Sequence, residues 1–294
     1  MNRTKFFMSL ALAMFAMVGN AAANPAQTTD GNLPALRVEG KNLVDANGKT
    51  VVLHGVMDTP NRYFNGWRWQ QWKADYSEAD IKPCLEYFSK QFSAITDKEQ
   101  GAYCTVFRLH MDPCWTNDPT KKAENEADIS AFKMARYRLY LQKLYIPLIK
   151  DAIAHGLYVI VRPPGVCPQD ISVGDKYNRY LKSIWKAFAA DEYIRQNSGI
   201  ISIELANEPV RVHLSDGSNS DKALHDYFQP VVDEIRAQGF KGIIWVPGAG
   251  YQSQYQNYAK YPVTDSEGNF SYAVHVYSGW YGNMTDKNCN HETF

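Results

Sequence analysis

The sequence has no excess of charge of either sign. Its 294 residues carry 31 Lys and Arg against 31 Asp and Glu, a formal charge of zero. That balance excludes the basic face a nucleic acid needs, and no long charge run marks a disordered tail. Beyond the first two dozen residues no apolar run reaches the length of a membrane span. No Gly-rich phosphate loop follows the first apolar strand, which counts against nucleotide binding. The five cysteines (Cys84, Cys104, Cys114, Cys167 and Cys289) fit no metal-ligand spacing. Being odd in number, they leave open whether any pair forms a disulfide. Neither metal nor cofactor is expected.

The N-terminus is informative. Arg3 and Lys5 precede an apolar run from Phe6 to Val18, and small residues follow at Ala21-Ala22-Ala23. A positive start, a short apolar stretch and a small-residue site make a secretory signal peptide. Cleavage is expected after Ala23, with export and no membrane anchor. Residues 24–35 then form a polar leader. Residues 36–294 contain no linker or internal repeat and are read as one domain.

Aromatic residues make up 13%, including 7 Trp and 19 Tyr. Flat rings with polar edges suit stacking on sugar faces, although packing alone accounts for most aromatics. Tyr63, Phe64, Trp67, Trp69 and Trp72 crowd one early loop. Tyr137, Tyr140 and Tyr145 at helical spacing read as core.

Periodicity places the elements. Residues 36–45 alternate and meet Asn47-Gly48, a hairpin turn signal, with a return strand over 50–57 that closes a barrel floor and becomes the first buried strand. Helical patterns cover 77–96, 130–154, 176–196 and 220–238, with glycines at 156 and 239 as C-terminal stops. Apolar strands cover 104–110, 157–162, 200–205, 242–247 and 272–277. The form of the Tyr/Gln-rich segment 251–261 is undetermined. Strands alternating with helices predict a parallel sheet. Six such units favour an α/β fold of the (β/α)8 TIM-barrel type, with about six of its eight units present.

In such a barrel, side chains at the C-terminal strand ends line the mouth where chemistry occurs. The fourth strand ends in Asn207-Glu208-Pro209, the second in Arg108-Leu109-His110, and the sixth in His275-Val276-Tyr277. These positions, with the hairpin from Leu43-Val44-Asp45 into Leu53-His54-Gly55-Val56, resemble glycoside hydrolase family 5. The match runs from about residue 36 to 281. The resemblance implies a secreted, retaining endo-β-glycanase that acts on a β-1,4-linked plant polysaccharide, alone and as a monomer.

Two carboxyls are needed for that reaction, about 5–5.5 Å apart in a retaining enzyme. Glu208 would be the general acid/base, its pKa raised by burial and by the second carboxylate. Asn207 would hold the sugar 2-hydroxyl, and Arg108 would orient the nucleophilic carboxylate. His275 and Tyr277 would line the rim, with Trp280 as a sugar platform and His110 as a further substrate contact.

Plainer readings stand beside these. Glu208 could be a cap, Arg108 a core ion pair and His275 a satisfied buried histidine. Glu204 is better read as the structural partner of Arg162 or Arg108 than as a catalyst. His54 and His110 fit site or packing equally.

Two departures from the family pattern are visible. Pro163-Pro164-Gly165 stands where histidines usually follow the third strand, which points to an altered subsite around Arg162 and Gln169. The nucleophilic Glu at the end of strand seven has no counterpart, and Glu292 lacks a strand leading to it. A C-terminally incomplete barrel is the expectation. A non-catalytic glycan-binding barrel is the alternative.

Overall fold

The structure, a computed structural model, describes residues 33–61 and 76–276. Tyr277, Trp280, Cys289, Glu292, the Trp67/Trp69/Trp72 loop, the signal segment and most of the polar leader lie outside the described residues.

The chain opens with a short antiparallel pair, β1 (Arg37–Glu39) and β2 (Asn42–Val44). Six parallel strands follow: β3 (Gly55–Asp58), β4 (Val106–His110), β5 (Tyr158–Arg162), β7 (Ile201–Glu204), β9 (Ile244–Pro247) and β10 (Phe270–Ala273). Their order in the sheet is β3-β4-β5-β7-β9-β10, so each strand is laid beside its predecessor. Two further strands, β6 (Asp170–Ser172) and β8 (Arg211–His213), form a separate parallel pair in the loops after β5 and β7.

The helices alternate with the sheet strands. They are α1 (Ile81–Ile95), α2 (Pro113–Thr116), α3 (Met134–Tyr140), α4 (Ile146–Ala154), α5 (Lys176–Ala189), α6 (Glu192–Gln196) and α7 (Ala223–Ala237). Among the described residues, none is long and apolar enough to cross a membrane.

This is the α/β arrangement of a TIM barrel with six of its strands. The sheet is not closed among the described residues, because β3 and β10 are its outer strands. Val56 and Met57 on β3, and Val274 and Val276 after β10, are accordingly exposed. Apolar side chains at these edges would be covered by neighbouring strands in a closed barrel.

The hairpin differs from expectation. Its turn falls at Gly40, in the left-handed region at φ 60°, rather than at Asn47-Gly48. The Asn47-Gly48 turn does form, with the Asp45 carboxylate accepting from the Asn47 and Lys49 amides. Pairing beyond it shrinks to one bridge, Val44 to Thr50. The chain is drawn off toward β4 instead, where the His54 carbonyl accepts from the Thr105 amide at 2.8 Å.

The expected place for the hairpin, at the barrel floor, agrees with its bonds. Leu36 N donates to Gly199 O, just before β7, and Val38 N donates to Asn269 Oδ1, just before β10. His54 lies at this floor end, exposed and edge-on to Tyr103, away from the mouth.

Three helical boundaries also shift. The segment expected as one helix over 130–154 starts at Met134 and passes through a π turn over Leu141–Tyr145. Pro147, in the first turn of α4, explains it: the ring has no N–H and would clash with the carbonyl four residues back, at Lys143. The segment over 176–196 splits because Asp191 leaves the helical conformation and its carboxylate caps Ile194 N, restarting the chain as α6. The pattern over 220–238 forms helix only from Ala223 to Ala237.

The core lies between the sheet and these helices. Trp185, Phe188, Tyr227 and Phe228 of α5 and α7 are fully buried there. Trp185 Nε1 donates to Leu205 O at 2.9 Å, tying α5 to the segment that carries Glu208. Tyr137, Tyr140 and Tyr145 are core as expected.

Candidate active site

Parallel strands bring their C-terminal ends to one face, and that face gathers the charged residues. Arg108 is the third residue of β4. Its guanidinium reaches Glu204 at the end of β7 with two bonds, Nε to Oε2 at 2.6 Å and Nη2 to Oε1 at 2.7 Å. Nη2 also donates to Asn207 Oδ1 at 3.0 Å. This two-pronged geometry is the strong form of an arginine–carboxylate pair. The fork expected for a nucleophilic carboxylate is thus occupied by Glu204, in the structural role read for that residue.

Glu204 is buried, with 3% of its side chain exposed. Burial alone would raise its pKa. The Arg108 charge and hydrogen bonds, helped by His275, outweigh that and hold it well below the usual carboxylate range.

Glu208 sits on a strained corner. Its φ is +57°, in the left-handed region that side chains other than glycine avoid, and the following proline disfavours helical backbone at this position as well. Such strain of about 1–3 kcal/mol persists only where surrounding bonds over-determine it. Here they do. Glu208 N donates to Gln252 Oε1 at 2.7 Å, and the Pro209 and Val210 carbonyls accept from Tyr251 N and Gly250 N at 2.9 and 3.0 Å.

The donor segment is itself left-handed. Gly250, Tyr251 and Gln252, in the turn Ala249–Gln252 after β9, have φ of 57°, 59° and 60°. Gln252 is fully buried, and its Nε2 donates to Ala273 O at 3.0 Å and to Glu204 Oε1 at 3.3 Å. Its carbonyl accepts from His275 N at 3.0 Å. One side chain therefore ties the ends of β7, β9 and β10 together. Nothing in the Tyr/Gln-rich sequence around it distinguishes this glutamine from its neighbours.

His275 bridges the two glutamates. Its Nδ1 lies 2.9 Å from Glu208 Oε1, and its Nε2 lies 3.4 Å from Glu204 Oε1. Burial pulls its pKa down, but the bonds to Glu204 and Glu208 prevail and raise it above the ordinary 6.5. Asn207 is buried beside this network, and its carbonyl accepts from Cys167 N. The site therefore unites Arg108, Asn207, Glu208 and His275, the described members of the expected set apart from His110.

His110 takes a different place. At the end of β4 it is 4% exposed, with Nε2 3.1 Å from Glu126 Oε1 but not aligned for a hydrogen bond. Burial, then the Arg162 and Arg108 charges, push its pKa well below 6.5, so the ring is neutral. Arg162, equally buried, places Nη2 3.8 Å from the same Glu126 oxygen. Burial and Arg108 lower Arg162 to about 10. Glu126 is itself raised to about 7 by burial, against the pull of Arg162 and with a push from Asp112. The sequence around it, Lys121 to Asp128, is a charged stretch in which nothing singles Glu126 out.

A cleft of about 690 Å³ opens between these two groups, lined by Glu126, Cys167 and Gln169 on one side and Glu208, Val210 and Tyr251 on the other. Gln169, expected near an altered subsite, is on its wall. Cys84, Cys104 and Cys167 carry free thiols. Among the described residues no group of His, Cys, Asp or Glu could hold a metal ion.

Comparison with known proteins identifies the fold and the family. The catalytic domain of an endoglucanase from Thermobifida fusca superposes with a TM-score of 0.51 at 22% identity, over 83% of this chain and 65% of that one. A β-glucanase from Saccharophagus degradans in complex with cellotetraose gives 0.54 at 16% identity, over 88% and 67%. A cellulase from an Icelandic hot spring isolate gives 0.55 at 20%, over 90% and 68%. The chain thus spans about two thirds of the length of these structures, and at such identities the likeness establishes the fold. No curated protein matches the sequence closely enough to count as a relative. The family model for cellulase (glycosyl hydrolase family 5) matches residues 87–294, more than half of the sequence. The chain belongs to the cellulase family, glycosyl hydrolase family 5.

Proposed function

We propose that the protein is a secreted retaining endo-β-glycanase that cleaves β-1,4-linked plant polysaccharide, with Glu208 as general acid/base. The observation that carries this reading is the position of Glu208. It stands at the mouth end of β7 on a strained, three-bond corner, one quarter exposed, in contact with His275 and open to the cleft. A proton donor to a glycosidic oxygen needs that combination of fixed backbone and access.

Asn207, immobilised by Arg108, is placed to hold the sugar 2-hydroxyl. His275 orients the Glu208 carboxyl and exchanges a proton with it as the residue alternates between acid and base. Glu204 is set apart from this chemistry by its bidentate bond to Arg108, and a second carboxylate on the Arg108 side of the site would serve as nucleophile. Tyr277 and Trp280, outside the described residues, are kept as sugar contacts on sequence grounds alone. The cellotetraose bound by the Saccharophagus degradans β-glucanase makes a β-1,4-glucan the first substrate to test.

The test is a reducing-sugar assay on full-length protein with cellulose, xyloglucan, xylan and mannan. Glu208→Gln is expected to lower the rate on unactivated polysaccharide by ~10²–10⁴-fold, the usual worth of general acid–base catalysis. Undiminished activity in that variant would refute the assignment. Binding of glycan by the wild-type protein without any turnover would favour a non-catalytic binding barrel instead.

A further inference from the structure

The Pro163-Pro164-Gly165 turn, Arg162, His110 and Glu126 play no part in the Glu208 network, yet they are built as a unit. Tyr180 OH donates to Pro164 O at 2.8 Å and anchors the turn. Val166 N then donates to Glu126 O at 3.3 Å, joining the loop after β5 to the loop after β4. Gly165 makes the contact possible: it lies at φ +78°, and a Cβ there would stand 2.3 Å from the Glu126 carbonyl oxygen. The Glu126 loop is further fixed by its own bonds, Ala127 N to Asn125 Oδ1 and Glu124 N to Asp128 Oδ2, both 2.9 Å.

The result is a carboxyl set on the cleft wall across from Glu208. Beneath it lie two basic side chains, each 4% exposed. His110 Nε2 and Arg162 Nε both lack hydrogen-bond partners. Among the described residues, no hydrogen bond of good geometry reaches the Glu126 carboxyl either. A largely buried carboxyl so placed is held by charge while its lone pairs stay available, an arrangement that is costly unless a ligand completes it.

We propose that Glu126 is a substrate-contacting residue that receives hydroxyl groups of a neutral glycan lying across the cleft from Glu208. This rests on the reading of the cleft as a glycan site. The rest of the lining agrees with a neutral ligand. Glu124, Asp128 and Glu208 join Glu126 there, and no Lys or Arg is among the lining residues. A uronate-bearing chain would bring like charges together without a counter-ion.

The experiment is calorimetric titration of the full chain at pH 8 with cellohexaose, mannohexaose and a hexameric galacturonide. The wild type is expected to bind a neutral hexamer at least tenfold more tightly than the galacturonide. Glu126→Ala should weaken neutral binding at least tenfold. Glu126→Gln, which keeps size and one acceptor, should weaken it several-fold and narrow the gap to the galacturonide, a change that a purely structural role would not produce. If removal of the carboxyl prevents folding of the Ala variant, the Gln variant decides. Neutral binding unchanged by these substitutions overturns the role of Glu126 alone. Failure of the wild type to bind any neutral hexamer overturns the reading of the cleft as well.

Discussion

Removing the Arg108 guanidinium while leaving Glu204 in place should be among the most damaging single changes in the molecule. Arg108→Met keeps most of the side-chain volume and deletes bonds of 2.6 and 2.7 Å to a carboxylate that is 3% exposed. Breaking a buried ion pair from one side leaves an uncompensated charge at ~3–5 kcal/mol. Gln252 Nε2 at 3.3 Å and His275 Nε2 at 3.4 Å remain to offset part of that, so a loss of about 3 kcal/mol at pH 7 is expected.

The loss should depend on pH. In the wild type the Glu204 pKa is depressed, so its stabilisation is present above the unfolded carboxylate value near 4.5 and fades as pH falls through the lower folded value. Without Arg108, burial dominates and the pKa rises. Glu204 then takes up a proton on mild acidification, and the deficit relative to wild type shrinks. Urea unfolding at pH 7 and pH 4 should show a deficit at the lower pH of about half or less. The double variant Arg108→Met/Glu204→Leu should recover at least ~2 kcal/mol relative to the sum of the single changes. A deficit below about 1 kcal/mol at pH 7, or one equal at both pH values, would refute the reasoning.

Gln252→Ala should destabilise the protein by ~2–4 kcal/mol, because it deletes a fully buried side chain together with its bonds to the Glu208 amide and to the Ala273 carbonyl, the latter keeping Tyr255 OH as its remaining donor. Thermal denaturation measures it, and a loss within experimental error would remove Gln252 from the frame that holds the corner. His275 should titrate above 6.5 by NMR. Its contribution to stability is then complete below the ordinary value and lost as pH rises through the folded one. Glu208→Gln removes one of the two carboxylate partners and should lower that midpoint. An unchanged midpoint would mean that Glu208 does not hold the ring.

The strands and most helices were legible because each is a local pattern. The apolar runs around Phe107, Val159 and Ile203 need no partner to be read as buried strands, and a run of them between helices already implies parallel order. Where local signals compete, the sequence misled. Asn47-Gly48 is a good turn, but the chain beyond it is captured by β4, and Pro147 and Asp191 interrupt helices whose apolar spacing runs on without a break. Arg108, Asn207, Glu208 and His275 could be nominated because parallel strands place their C-terminal ends together whatever the intervening loops do. Gln252 and Glu126 could not. Gln252 works through a left-handed turn that only the meeting of the β7 and β9 loops imposes, and Glu126 reaches the cleft only because Gly165 lets a second loop touch its backbone.

The corner at Glu208 marks the boundary between the two kinds of knowledge. That a carboxyl stands at a strand end follows from Ile201–Glu204 and Asn207-Glu208-Pro209 alone, since alternation and a proline stop are properties of the chain. That the corner is strained, that His275 grips it, and that Arg108 is already engaged by Glu204 were decided by tertiary contacts. Bonds between residues 44 to 96 positions apart set these geometries, and no local pattern encodes the distance between them.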